Sequence, residues 1–125
     1  MNKLAACYKL SRPLNALSGA LAVVMGGYVA FTGEWVKILM AASVTFLVTS
    51  SSNAWNDYLD IEIDRINQPH RVLPSGQLSA RAALVFSLTL AAISLMIAFA
   101  INMPAFLVAL FSNIALYIYS WRLKS

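Results

Sequence analysis

Residues 82–101 read AALVFSLTLAAISLMIAFAI, which is a run without a single charged side chain. An α-helix needs about 20 apolar residues to cross the hydrocarbon core of a bilayer. Three further runs resemble it: 14–32 and 104–121 are uncharged, and 35–55 contains only Lys37, near its start. Lysine at the end of a span can reach the headgroups. The four runs therefore predict four transmembrane helices.

The composition agrees with this prediction. Of the 125 residues, 60% are apolar and 11% are charged, whereas soluble domains average about 25% charged residues. Buried helices of a soluble protein are the alternative, but four such runs disfavour it. The predicted fold class is an all-α, polytopic membrane helical bundle with helices at about 14–32, 35–64, 82–101 and 104–121.

The basic residues predict the orientation in the cell membrane. The net charge is +4, but the basic residues are scattered at the ends of apolar runs, which excludes a nucleic-acid-binding face. Cytoplasmic loops are enriched in lysine and arginine. With the N-terminus inside, Lys37 alone lies outside, and the cytoplasmic side holds Lys3, Lys9, Arg12, Arg65, Arg71, Arg81, Arg122 and Lys124. We therefore expect a multi-pass protein whose N-terminus and polar loop are cytoplasmic.

Most of the acidic residues lie in one segment at the end of the second predicted helix. On a helix that turns about 100° per residue, one arc of roughly 100° holds Asn53, Asn56, Asp57, Asp60 and Asp64. Glu62 falls on the opposite side. The pattern predicts a polar stripe of three aspartates and two asparagines.

Carboxylates on one face repel each other and require a cation or protons. The donors are all oxygens, which suits a hard cation such as Mg²⁺, and magnesium held by carboxylates usually completes its shell with substrate phosphates. A solvated acidic helix end is the alternative, although polar groups at the edge of a membrane span are usually functional. In the following loop, Arg65 and Arg71 have the side chain best shaped for phosphate, with membrane anchoring as their alternative role.

These motifs resemble the UbiA superfamily of intramembrane prenyltransferases. The resemblance rests on Asn56-Asp57-x-x-Asp60-x-x-x-Asp64, on His70-Arg71-x-x-Pro74-Ser75-Gly76, on Arg12-Pro13-Leu14-Asn15 and on Tyr119-Ser120-Trp121-Arg122-Leu123-Lys124. Within the superfamily, the segment from Asn56 to Gly76 is most similar to digeranylgeranylglyceryl phosphate synthases. Val72 departs from the family pattern, which usually has proline at that position.

The resemblance implies a function and a set of site residues. A geranylgeranyl group would pass from its diphosphate to geranylgeranylglyceryl phosphate, a lipid-like acceptor, with Mg²⁺ as cofactor. By matching positions, Asn56, Asp60 and Asp64 would bind metal, and Asp60 and Asp64 would be catalytic. Asn56, Asp57, Arg71 and Asn15 would bind substrate.

Family members also have a second aspartate-rich motif in later helices. We therefore expect residues 1–125 to be the N-terminal part of a UbiA-type domain, inactive without C-terminal helices or a second subunit. Three alternatives remain: a UbiA-type aromatic prenyltransferase acting on a quinone or haem precursor, a cation-binding membrane protein, and an inactive membrane fragment. A transporter would need charged groups within its spans, so the uncharged runs favour the enzyme.

Overall fold

The chain folds as a bundle of helices. A computed structural model describes residues 3–29 and 34–123, with side chains described for 3–25 and 34–122. The helices are α1 (Lys3–Ser11), α2 (Pro13–Val29), α3 (Trp35–Leu59), α4 (Ile61–Asn67), α5 (Ala80–Ile101) and α6 (Met103–Ile118), followed by a π-helical turn (Tyr119–Leu123). No strand occurs in these described ranges. The predicted all-α class is confirmed.

Within the described parts of the chain, three helices are long and apolar enough to cross a membrane. They are α3, α5 and the segment Met103–Arg122, which joins α6 to the π-helical turn. The fourth apolar helix, α2, is described over 17 residues and carries no charged side chain. Residues 30–32 of the first predicted helix lie outside the described residues.

The N-terminal segment and the acidic segment differ from the sequence prediction. Helix α1 was not predicted, because Lys3–Ser11 has only nine residues and its two lysines lower the hydropathy. The predicted helix 35–64 is also wrong as one continuous element, since it breaks at Asp60 (φ −94°, ψ 12°) into α3 and α4. These angles lie in the sparsely allowed region between helix and strand.

Capping residues fix the starts of α5 and α6. The Ser79 hydroxyl accepts a hydrogen bond from the Ala82 amide (3.1 Å), and the Asn102 side chain accepts one from Ala105 (2.8 Å). Such caps satisfy amides that have no partner within the helix. The caps start α5 at Ala80 and α6 at Met103, slightly before the predicted starts.

Helix α3 lies at the centre and packs against α1, α2, α5 and α6. Two buried serines join it to α5: Ser51 donates to the Ser87 carbonyl and Ser87 donates to the Ser51 carbonyl, both at 2.8 Å. The Tyr117 hydroxyl of α6 contacts both serine hydroxyls, and its ring stacks on Trp55 at 4.9 Å. Small hydroxyl residues of this kind allow close helix packing in lipid.

A second core lies at the end of the bundle that contains the acidic segment. Its buried members come from α1, α3, the 68–79 loop and α5: Ala6, Leu10, Ala54, Val72, Leu73, Leu78 and Ala83. Val72, which replaces the family's usual proline, is 6% exposed and is part of this core. This core fixes the loop, and with it Arg71, against α1 and α3.

Helices α2 and α3 approach closely at Gly19. A Cβ atom at this position would lie 3.2 Å from Thr45 Cγ2. We expect Gly19→Leu to lower the free energy of unfolding by about 1–3 kcal/mol, because the larger side chain forces the two helices apart. Ala22→Leu, at an exposed position of the same helix, should change it by less than about 0.5 kcal/mol. Denaturant unfolding in detergent measures both, and equal losses would contradict the close contact.

Candidate functional site

The polar face of α3 and α4 is directed into the bundle. Asn53, Asp57 and Asp64 are 8%, 6% and 5% exposed, and Asn56 and Asp60 are partly buried. Glu62 points outward and pairs with Arg65 at 2.6 Å. The separation of Glu62 from the aspartates thus agrees with the helical arc.

The stripe persists across the break at Asp60 because the helical hydrogen bonds continue there. The Asp60 amide donates to the Asn56 carbonyl (3.1 Å), and the Asp64 amide donates to the Asp60 carbonyl (2.8 Å). Both bonds have the four-residue spacing of an α-helix. The break therefore changes the local angles without rotating Asp64 away from Asp57.

Two arginines approach the aspartates from different parts of the chain. Arg12, between α1 and α2, forms an ion pair with Asp57. Arg71, from the loop, has Nη1 3.3 Å from Asp64 Oδ2 and 3.8 Å from Asp57 Oδ1. Positive and negative groups therefore alternate along the polar face. Removing charges from water is costly unless they are paired in this way.

Arg12 was missed as a candidate site residue. In the sequence, Arg12 contributed to the predicted membrane orientation and to the Arg12-Pro13-Leu14-Asn15 motif, without a role in the site. The signal that could have identified it is the Arg12-Pro13 pair, because a residue before proline is disfavoured in the helical region. The structure breaks the helix at this residue, where φ is +50°.

Asn15 lies beside the polar face at an exposed position. Its amide nitrogen is 3.5 Å from the Asn53 side-chain oxygen. Asn53 in turn donates to the Ser11 carbonyl at 2.9 Å. The structure therefore brings Asn15 next to Asn53, at the junction of α1 and α2, and its contact with substrate stays a prediction.

The described residues include no group of three histidine, cysteine, aspartate or glutamate side chains placed to hold a metal ion. Two carboxylates and one amide remain as oxygen donors, from Asp60, Asp64 and Asn56. Mg²⁺ is commonly bound by one or two carboxylates together with substrate phosphates. The donor chemistry thus fits a magnesium ion that shares its shell with a diphosphate.

A cavity of about 520 Å³ lies between α3, α5 and α6. Its lining is mainly apolar, with Thr45 and Thr49 of α3 and Ser112 of α6 among the few polar side chains. Thr49 and Asn56 are seven residues apart and so lie on the same helical face, about two turns from each other. Thr49 is thus the lining residue of α3 nearest to the acidic segment, and no residue of that segment lines the cavity.

Comparison of the sequence with known protein families identifies the family of this chain. Residues 14–125 match the sequence profile of the UbiA prenyltransferase family. The chain belongs to the UbiA prenyltransferase family. UbiA proteins are transferases, and the aspartate-rich segment lies within the matched range.

Individual relatives narrow the comparison within UbiA. The chain is 40% identical to the digeranylgeranylglyceryl phosphate synthase of Methanopyrus kandleri over 116 residues, which are 93% of this chain and 43% of the relative. The synthase of Thermococcus kodakarensis is 39% identical over 118 residues, with the same coverage. The chain thus spans less than half the length of these curated relatives.

A solved structure shows the same arrangement of helices. It is described as giving insights into digeranylgeranylglyceryl phosphate synthase in membranes. It matches 99% of this chain with a TM-score of 0.93 and 34% identity, and the match covers 45% of the solved chain. The bundle described above is therefore a UbiA helix arrangement.

Proposed function

We propose that this chain supplies the first metal and diphosphate site of a prenyltransferase that transfers a geranylgeranyl group from its diphosphate to geranylgeranylglyceryl phosphate. The observation that supports this most directly is the buried acidic face at the end of α3. Asp57 and Asp64 are both nearly inaccessible and paired with arginine. The names of the relatives supply the substrate class.

The cavity suits the prenyl chain. It is mostly apolar and opens between helices that cross the membrane. Lipid tails are as apolar as leucine side chains, so a prenyl hydrocarbon could pass from the bilayer into the cavity without entering water. With the prenyl chain there, the diphosphate would lie at the end of α3, near Asn56.

The acidic face suits the diphosphate. When bound by Asn56, Asp60 and Asp64, Mg²⁺ would supply positive charge that stabilises the leaving diphosphate. Arg71 would donate hydrogen bonds to phosphate oxygens, a geometry for which a guanidinium is well shaped. The allylic C–O bond breaks, the acceptor hydroxyl forms the new C–O bond, and its proton is released. Asp57 would hold Arg71 in place.

The experiment has two parts. First, the chain is purified in lipid nanodiscs and titrated with geranylgeranyl diphosphate, with and without Mg²⁺; we expect binding that depends on the metal. Second, the chain replaces the matching segment of the Thermococcus kodakarensis relative, and transfer to geranylgeranylglyceryl phosphate is measured. An aromatic acceptor, such as a 4-hydroxybenzoate, is the comparison substrate.

Three outcomes would contradict the proposal. Binding of geranylgeranyl diphosphate that is unaffected by Mg²⁺ would contradict the proposed metal site. A chimera that accepts only the aromatic substrate would place the chain with the aromatic prenyltransferases. A chimera that folds but transfers the prenyl group to neither acceptor would favour the alternative that the chain is an inactive membrane fragment.

We further propose that the end of the bundle with the acidic face lies in the cytoplasm, because the basic residues are concentrated there. In a Cys7→Ser background, Ser75→Cys should escape an impermeant maleimide added to intact cells. Met103→Cys, at an exposed position at the opposite end of α5 and α6, should be labelled. Efficient labelling of Ser75→Cys from outside would contradict the proposed orientation.

A further inference from the structure

We propose that Arg12 and Arg71 together form a binding site for a phosphate group of the substrate, and that Asp57 holds the two guanidinium groups in place. The inference rests on the proposed function and adds Arg12 to the site. It also gives Asp57 a different task from Asp60 and Asp64, namely positioning arginine instead of binding metal.

The two guanidinium groups converge on one atom. Arg12 Nη2 and Arg71 Nη1 both contact Asp57 Oδ1, so they lie side by side although they are far apart in sequence. The Asp57 carboxylate is only 8% exposed. Since this oxygen is already shared between two cations, it is poorly placed to bind a metal ion as well.

Both arginine side chains remain partly accessible. The Arg12 and Arg71 side chains are 35% and 37% exposed, in contrast to the buried aspartates they contact. A guanidinium has five N–H donors in a planar fork, and the contacts described here involve one nitrogen of each. An arginine can therefore hold a carboxylate with one edge and present another edge to phosphate.

The backbone conformation at Arg12 directs its side chain towards α3. Arg12 is the one non-glycine residue with positive φ among those that the structure describes. Such a conformation costs on the order of 1–3 kcal/mol and persists where surrounding contacts enforce it. Here Asn53 holds the Ser11 carbonyl, and the Arg12 amide donates to the Lys9 carbonyl at 3.2 Å. These contacts keep the turn that aims Arg12 at α3.

The phosphate could come from either substrate, because the prenyl donor ends in a diphosphate and the proposed acceptor ends in a phosphate. Both present the same oxygens to a guanidinium. The probes that separate them are inorganic pyrophosphate for the donor and glycerol 1-phosphate for the acceptor.

The test is a binding titration of the chain in nanodiscs with each probe in the presence of Mg²⁺. We expect Arg12→Ala to weaken binding of one probe at least tenfold, and Arg12→Lys to restore part of it. Asp57→Asn should weaken the same probe while binding of Mg²⁺ alone changes less than twofold. Lys9→Ala, at an exposed basic position of α1, is the matched control and should bind like the wild type.

A second measurement does not depend on the folding of a variant. Phenylglyoxal modifies accessible arginines, and mass spectrometry locates the adducts. The probe whose binding depends on Arg12 should protect Arg12 and Arg71 from modification in the wild-type chain. It should not protect Arg65, which pairs with Glu62 on the outer face.

The outcomes separate this inference from the proposed function. Loss of pyrophosphate binding in Arg12→Ala assigns the phosphate-binding site to the donor. Loss of glycerol 1-phosphate binding in this variant assigns it to the acceptor. Wild-type binding of both probes by Arg12→Ala, or absence of protection at Arg12, overturns the inference and leaves the proposed function standing. Arg12-dependent binding in a chimera that transfers nothing contradicts the proposed function alone.

Discussion

Asp64→Asn should nearly abolish prenyl transfer in the chimera, with a rate lower by at least on the order of 100-fold, the loss typical when one group that stabilises developing charge is removed. It should also weaken Mg²⁺-dependent binding of geranylgeranyl diphosphate. Asp64 is buried and is 3.3 Å from Arg71. The amide keeps the shape of the side chain but removes the negative charge. The substitution therefore weakens the proposed metal site and the position of Arg71 together.

The matched control is Glu62→Gln, which makes the same chemical change two residues earlier. Glu62 is 81% exposed and pairs with Arg65 on the outer surface. An exposed ion pair contributes at most about 1 kcal/mol, so this variant should retain most of its binding and transfer. Equal losses in the two variants would show that the polar face has no special role.

Ser87→Leu is expected to have the largest effect on stability. Ser87 is fully buried where α5 meets α3, and its hydroxyl donates to the Ser51 carbonyl at 2.8 Å. Leucine adds volume at this contact and removes the donor. Together these changes should lower the free energy of unfolding by roughly 2–4 kcal/mol, from overpacking and from a lost interhelical hydrogen bond.

Two further variants separate these causes. Ser87→Ala removes the hydroxyl without adding volume, so it should cost only about 1 kcal/mol. Leu88→Ala changes a neighbouring side chain that is 51% exposed, and it should have little effect. Thermal unfolding in detergent, followed by circular dichroism, measures all three. A Ser87→Leu protein as stable as the wild type would contradict the close packing of α3 and α5.

Hydropathy predicted the membrane helices because their signal is summed over many residues. Residues 82–101 have no charge to interrupt them, and the observed α5 ends at Ile101 as predicted. Helix α1 escaped prediction for the same reason: it has nine residues and an ordinary mixture of apolar and polar side chains. Its stability comes from packing with the loop and α5, which a local pattern cannot reveal.

The candidate site was partly predictable as well. The spacing of Asp57, Asp60 and Asp64 follows the helical period, so their common face could be read from the sequence. The pairing of Arg12 with Asp57 could not, since these residues are 45 positions apart. The charges of both were visible in the sequence, but their contact depends on how α2 folds back along α3.

The core formed by Leu10 and the 68–79 loop bears on the order of events during synthesis. Leu10 and Ala6 share this core with Ala54 of α3 and with Val72, Leu73, Leu78 and Ala83. Val72 and the members after it leave the ribosome more than sixty residues after Leu10, at roughly 5–20 residues per second. The N-terminal helix must therefore wait several seconds before it can dock. The pairing of Arg71 with Asp57 and Asp64 likewise requires the 68–79 loop, so the acidic site is complete only after that loop has been translated.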